Sequence, residues 1–223
     1  MVRTKLKDRI LPNYTHGEEI FNMVSHIVGG AFGIIALILC IIVSAIHHNV
    51  LGIVSSAIYG VSLILLYTMS SVYHGISSKF AKAVMQILDH CTIYFLIAGT
   101  YTPILFCSIR KVSKAWSWIL FGIVWGLAML ATVFTAIDLK KFSKFSMACY
   151  IIMGWCIILA TKTLINSMEL PGILYLFSGG IIYTIGAIFY CIGKKYKYMH
   201  SVFHIFVLIG SLLHFLCILF YVI

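Results

Sequence analysis

The stretch MHSVFHIFVLIGSLLHFLCILFYVI, residues 199–223, decides the fold. From His200 to Val222 it is apolar enough, and long enough as a helix, to cross the roughly 30 Å hydrocarbon core of a bilayer. It opens with His200 and His204, four residues apart. A helix stacks residues at that spacing on one face, where two imidazoles can reach one metal ion. Ionisable side chains inside a membrane are costly and mark functional sites.

Working outward, six further stretches have similar length and apolarity: Asn22–Ile46, Val50–Tyr73, Val84–Cys107, Ala115–Ala136, Phe145–Leu164 and Pro171–Ile192. The chain is 62% hydrophobic and 10% charged, with a mean hydropathy of +1.06. Those values exclude a soluble domain of this size. The predicted fold is all-α, an integral membrane bundle of seven transmembrane helices. One domain spans residues 17–223, behind a short basic segment at 1–16. No removable leader is expected, because no apolar core with a small-residue cleavage site follows the first basic residues.

Orientation follows the lysines and arginines. With the N-terminus inside, the cytoplasmic side collects Arg3, Lys5, Lys7, Arg9, Lys79, Lys82, Lys140, Lys141, Lys144, Lys194, Lys195 and Lys197. The outside collects Arg110, Lys111, Lys114 and Lys162. The expectation is N-terminus cytoplasmic and C-terminus outside. The net charge of +10 then reports topology and attraction to anionic headgroups. It does not point to nucleic acid, since the charges are spread over separate loops. The seven cysteines lack C-x-x-C spacing and are expected to be packed thiols.

On this topology the rare intramembrane polar residues fall at one depth, near the cytoplasmic side. Ser70 and His74 end the second span, Asp89 and His90 begin the third, and His200 and His204 begin the seventh. Glu19, Asn22 and His26 form a single i, i+3, i+7 stripe at the start of the first. Such stripes should face the bundle interior, because the lipid face would leave them unsatisfied. His74, His200 and His204 supply the three nitrogen ligands of a zinc site with a fourth position to spare. Zinc polarises carbonyls and makes water a nucleophile near neutral pH. Asp89 is placed to take a proton from that water, or else to orient a ligand imidazole. Ser70, one turn before His74, is placed to bond the water or a substrate carbonyl. Glu19, Asn22 and His26 are read as a supporting network, with capping of the first helix as the rival role for Glu19 and Asn22. His214, ten residues past His204, lies about 15 Å deeper. It should line a polar cavity or bond a backbone group. His90 is read as packing, His16, His47 and His48 as solvated, and Asp138 as a loop charge. Trp116 and Trp118 are read as an interfacial anchor, and Pro103 with Gly99 as a bend or close approach.

These motifs resemble the hemolysin III branch of the progestin and adipoQ receptor family. The matching residues are Ser70-x3-His74, Leu88-Asp89-His90-Cys91-Thr92-Ile93-Tyr94 through Ala98-Gly99-Thr100-Tyr101-Thr102-Pro103, and His200-x3-His204. The opening Glu19-x2-Asn22-x2-Ser25-His26 looks like that family's first motif. Four motifs in order, covering residue 16 to the end, are specific together. The resemblance implies a seven-helix bundle with zinc on His74, His200 and His204, a water-holding carboxylate at Asp89 and a serine at Ser70. It also brings kinship with alkaline ceramidases, which hydrolyse a lipid amide. The short N-terminal segment points to a bacterial member in the plasma membrane rather than to the hormone receptors. The expected function is a zinc-dependent lipid amide or ester hydrolase, or a regulator of membrane lipid state. Its partners would be membrane lipids, an acyl-chain substrate or a free fatty acid. A membrane-permeabilising cytolysin and a non-catalytic seven-helix receptor are the alternatives.

Overall fold

The computed structural model describes residues 4, 6, 9–193 and 195–223. Arg3, Lys5, Lys7 and Lys194, four of the residues behind the charge asymmetry, lie outside the described residues. Among the described residues, seven helices are long and apolar enough to cross a membrane: α1 His16–Ile46, α2 Val50–Gly75, α3 Lys79–Val112, α4 Lys114–Ile137, α5 Ser143–Ile165, α6 Leu170–Ile192 and α7 Met199–Tyr221. No strand occurs among the described residues.

Two helices run well past the apolar stretches that signal them. α1 starts six residues earlier because Thr15 and Glu18 form a capping box: the Thr15 hydroxyl accepts from the Glu18 N–H, and the Glu18 carboxylate accepts from the Thr15 N–H. α3 extends at both ends, and after Pro103 its turns from Ile104 to Ile109 are π-helical. Proline has no N–H to give the preceding turn, and the register widens there. Asn49 caps α2 through a 2.9 Å bond from the Gly52 N–H.

The bundle is organised around α3. Its membrane window is 78% buried, against 28% for α1 and α4 and 22% for α6. The outer helices therefore turn most of their surface to lipid, as the exposed run Ile27, Val28, Ile34, Ile35 and Ile38 of α1 shows. Between α1 and α2 the backbones approach closely. A Cβ at Gly60 would stand 2.5 Å from the Leu37 Cβ, and one at Gly29 would stand 2.4 Å from the Tyr67 ring. Small residues at such crossings let membrane helices pack where no hydrophobic force drives them together. Gly60→Leu is expected to destabilise the bundle by about 1–3 kcal/mol through overpacking. Thermal unfolding should detect it, with Gly122→Leu, which meets nothing within 4 Å, as the neutral control.

α5 is interrupted at Cys156–Ala160, where one 3₁₀ segment follows Trp155. Tyr101 of α3 fills the break: its hydroxyl donates to the Gly154 carbonyl at 2.9 Å and accepts from the Ile157 N–H at 3.1 Å. Two backbone groups released by the break are thereby satisfied.

The structure adds to two sequence readings and corrects one. Asp138 is a loop charge, as the sequence suggests, and it is buried. It accepts from the Thr4 N–H at 3.1 Å, the Thr4 hydroxyl at 2.8 Å and the Lys141 N–H at 3.1 Å. Burial pushes its carboxyl up, but those bonds, with Arg9 nearby, outweigh burial and hold it at about 2. Its neighbours in sequence are lysines; its partner in space is the N-terminal segment, which sequence proximity could not show. The reading of all seven cysteines as packed thiols is corrected at Cys191, which is exposed while the other six are buried. Trp116 packs against the core, leaving Trp118 as the exposed member of the pair.

Candidate metal centre

His74 ends α2, and His200 and His204 occupy the first two turns of α7. The three side chains are buried and meet, each offering one ligand atom within 4.8 Å of the others. The two α7 rings turn the same nitrogen inward, with His200 Nε2 3.1 Å from His204 Nε2. Tetrahedral zinc with bonds of about 2.0–2.1 Å separates its ligand atoms by roughly 3.3 Å. The α7 pair already stands near that separation, and one nitrogen of His74 lies within 4.8 Å of a nitrogen of each.

The outward nitrogens of His74 and His204 face α1. His74 Nδ1 donates to Glu19 Oε2 at 2.7 Å, and the other oxygen of Glu19 pairs with Lys82 Nζ at 2.8 Å. With its proton on Nδ1, His74 keeps a lone pair on Nε2, a buried atom without a hydrogen-bond partner among the described residues. His204 Nδ1 lies 3.5 Å from the Ser25 hydroxyl, which donates to the Asn22 carbonyl at 3.0 Å. An orphaned acceptor, two facing Nε2 atoms and a carboxylate behind one ring are what a three-histidine zinc site requires. The residues present fit that ion.

His26 does not join the ligands. It stacks on His204 with ring centroids 3.7 Å apart and planes 16° from parallel, so its nitrogens run alongside the ligand ring instead of converging with it. Asn22 is fully buried, and its side-chain amide pairs with nothing among the described residues. Of the three α1 residues, Glu19 thus bonds a ligand directly, His26 packs on one, and Asn22 contributes its carbonyl. Glu19→Gln is expected to weaken zinc affinity roughly 10–100-fold, read by metal titration of the purified protein.

Asp89 and Ser70 make no hydrogen bond to the three imidazoles. They line a cavity of about 150 Å³ together with His200 and His204. From that polar end the cavity runs between α3, α5, α6 and α7, past Trp155 and Gly180, to His214. His214 donates from Nε2 to the Leu176 carbonyl at 3.1 Å, so it both lines the far end and bonds backbone. His90 does more than pack. It bridges the Gln86 carbonyl at 2.8 Å and the Tyr190 hydroxyl at 3.1 Å, while its own carbonyl accepts from Tyr150 at 2.9 Å. His16, His47 and His48 are exposed.

Two participants escape a reading based on intramembrane polarity. Tyr14, before the first span, stacks on His200 at 4.9 Å and lies 5.6 Å from His74. Burial first, then Tyr73, Tyr190, Asp89 and Glu19 nearby, raise its phenol above the ordinary range, so it stays protonated. Glu18 is buried and reaches from α1 to the start of α7, accepting from the Tyr198 N–H at 2.6 Å. The Thr15-x2-Glu18 spacing was a legible signal for the cap; nothing local announces the second bond.

The same chain, compared with known proteins, matches the haemolysin-III related family over residues 14–215. It is 42% identical over 205 residues to hemolysin-3 of Bacillus cereus, covering 92% of each chain. It is 42% identical over 208 residues to the hemolysin-3 homolog of Bacillus subtilis, covering 93% of this chain and 96% of that one. A more distant likeness, 26% over 144 residues, joins 61% of this chain to 58% of the human monocyte to macrophage differentiation factor. With matched motifs, seven spans and near full-length likeness in agreement, the chain is a multi-pass membrane protein and belongs to the haemolysin-III related family.

Proposed function

We propose that this protein is a zinc-dependent membrane hydrolase acting on an acyl-chain lipid amide or ester. The site would lie near the cytoplasmic face of the plasma membrane, with the N-terminus inside. The observation that carries this reading is the buried three-imidazole cluster opening onto a mainly apolar cavity. A chain running toward His214 would leave its carbonyl beside His200 and His204. The roughly 150 Å³ already present would widen on entry of a full acyl tail.

His74, His200 and His204 would hold the ion, which when bound supplies Lewis-acid polarisation of a carbonyl and an activated water. Glu19 fixes the His74 tautomer and so presents Nε2 inward. Asp89, facing the same cavity, takes a proton from the attacking water and returns it to the leaving amine or alcohol. Ser70 donates a hydrogen bond to the substrate at the cavity mouth. The apolar walls from Ile93 to Val207 exclude bulk water and strengthen each of these interactions.

Purified protein in lipid vesicles, with zinc restored or chelated, tests the reading. Release of fatty acid that follows zinc supports it. No acyl product from any amide or ester lipid, with zinc bound, defeats it and leaves regulation of membrane lipid state through ligand binding. The names of the two Bacillus relatives motivate a second reading, permeabilisation of target membranes. Dye release from liposomes that persists in His200→Ala/His204→Ala would favour that reading and separate it from zinc chemistry.

A further inference from the structure

The cavity covers one side of the histidine cluster; the other side is covered by a residue that belongs to no span. Tyr14 lies against two of the three candidate ligands, nearly parallel to His200 at 21° and tilted over His74 at 54°. It is not among the side chains that line the cavity. Tyr14, in the segment that precedes α1, therefore covers the cluster on a side that the cavity does not line.

The Glu18 carboxylate ties down the segment that carries Tyr14. One oxygen of Glu18 accepts from both the Thr15 N–H and the Thr15 hydroxyl, each at 2.8 Å, fixing the residue next to Tyr14. The other accepts from the N–H of Tyr198, which stands two residues before His200. Tyr198 adopts the left-handed conformation, with φ of 62°, a cost accepted only where surroundings enforce it. Its hydroxyl rests on Gly17, where a Cβ would stand 3.0 Å away. The segment bearing Tyr14 and the turn bearing His200 are thus clamped to each other through Glu18.

We propose that Tyr14 is a lid on the metal centre, held shut by Glu18, so that ions and water-soluble chelators exchange only when its ring swings aside while lipid approaches through the cavity. The proposal rests on the zinc reading of the three histidines. It makes Tyr14 a positioning residue whose effect is on the rate of exchange more than on affinity.

The test uses the full chain in lipid nanodiscs loaded with one equivalent of Zn²⁺, mixed rapidly with a chromogenic chelator. Tyr14→Ala should release zinc roughly tenfold faster, as expected when the closed state is deprived of one aromatic stacking interaction. Its rate of zinc uptake should rise in step, leaving the dissociation constant little changed. Tyr14→Phe keeps the ring and should behave as wild type, and Glu18→Ala should release zinc faster with Tyr14 intact. Release unchanged in Tyr14→Ala overturns the lid. So does faster release with uptake unchanged and affinity lost, which is the mark of mere structural support. Wild-type protein that takes up no zinc overturns the metal reading itself, and the lid with it.

Discussion

Replacing His204 with alanine is expected to take the purified protein from about one zinc per chain to almost none. Three ligands are the minimum protein set for a site of this kind. Without His204, the remaining two nitrogens sit on different helices, with no third to hold the ion between them. The neighbours cannot substitute: His26 is stacked flat on the missing ring's position, and Ser25 reaches only its outward nitrogen. Elemental analysis of wild type beside His204→Ala gives the direct answer, with exposed His47→Ala as the unaffected control. Thermal unfolding gives a second. Zinc at about 1,000 times its dissociation constant stabilises a binding-competent fold by roughly 4 kcal/mol, so added zinc should raise the melting temperature of wild type and leave the variant unmoved.

Asp89→Asn should behave in the opposite way, keeping zinc while losing turnover by roughly 10²–10⁴-fold, the usual contribution of a positioned general acid–base. The sequence left two roles open to Asp89, proton transfer or support of a ligand imidazole. In the structure Glu19 already holds His74, and Ser25 lies beside the outward nitrogen of His204. Asp89 faces the cavity instead. A metal titration alongside the lipid assay separates the roles. Zinc affinity lost with activity would return Asp89 to the supporting role and remove the carboxylate that faces the cavity from the chemistry.

Much of the site was legible because membrane helices make polar residues conspicuous. Against an apolar background, Ser70-x3-His74, Glu19-x2-Asn22-x3-His26 and His200-x3-His204 can be read as faces, since helical periodicity converts spacing directly into direction. The alternating direction of successive spans then puts those faces at a common level. What could not be read lies where the chain is already polar, so that one more polar or aromatic residue carries no signal. Tyr14, Glu18 and Asp138 all sit in or beside connecting segments. Each takes its role from a partner far away in sequence, 180 residues in the case of Glu18 with Tyr198.

The sequence alone determined that this chain has seven membrane-spanning stretches and that the polar residues His74, Asp89, His200 and Glu19 fall at matching ends of their helices. Those properties follow from the energy of transferring each side chain into hydrocarbon, which depends on composition and periodicity and not on which helix meets which. Only the tertiary structure decided that the imidazoles of α2 and α7 converge, that Glu19 and not Asp89 stands behind His74, and that Tyr14 stacks on His200. Those depend on how helices rotate and cross, set by close packing such as Gly60 on Leu37 and Tyr101 in the break of α5. Packing of that kind is decided by shapes meeting across the whole bundle, and no local stretch of sequence contains it.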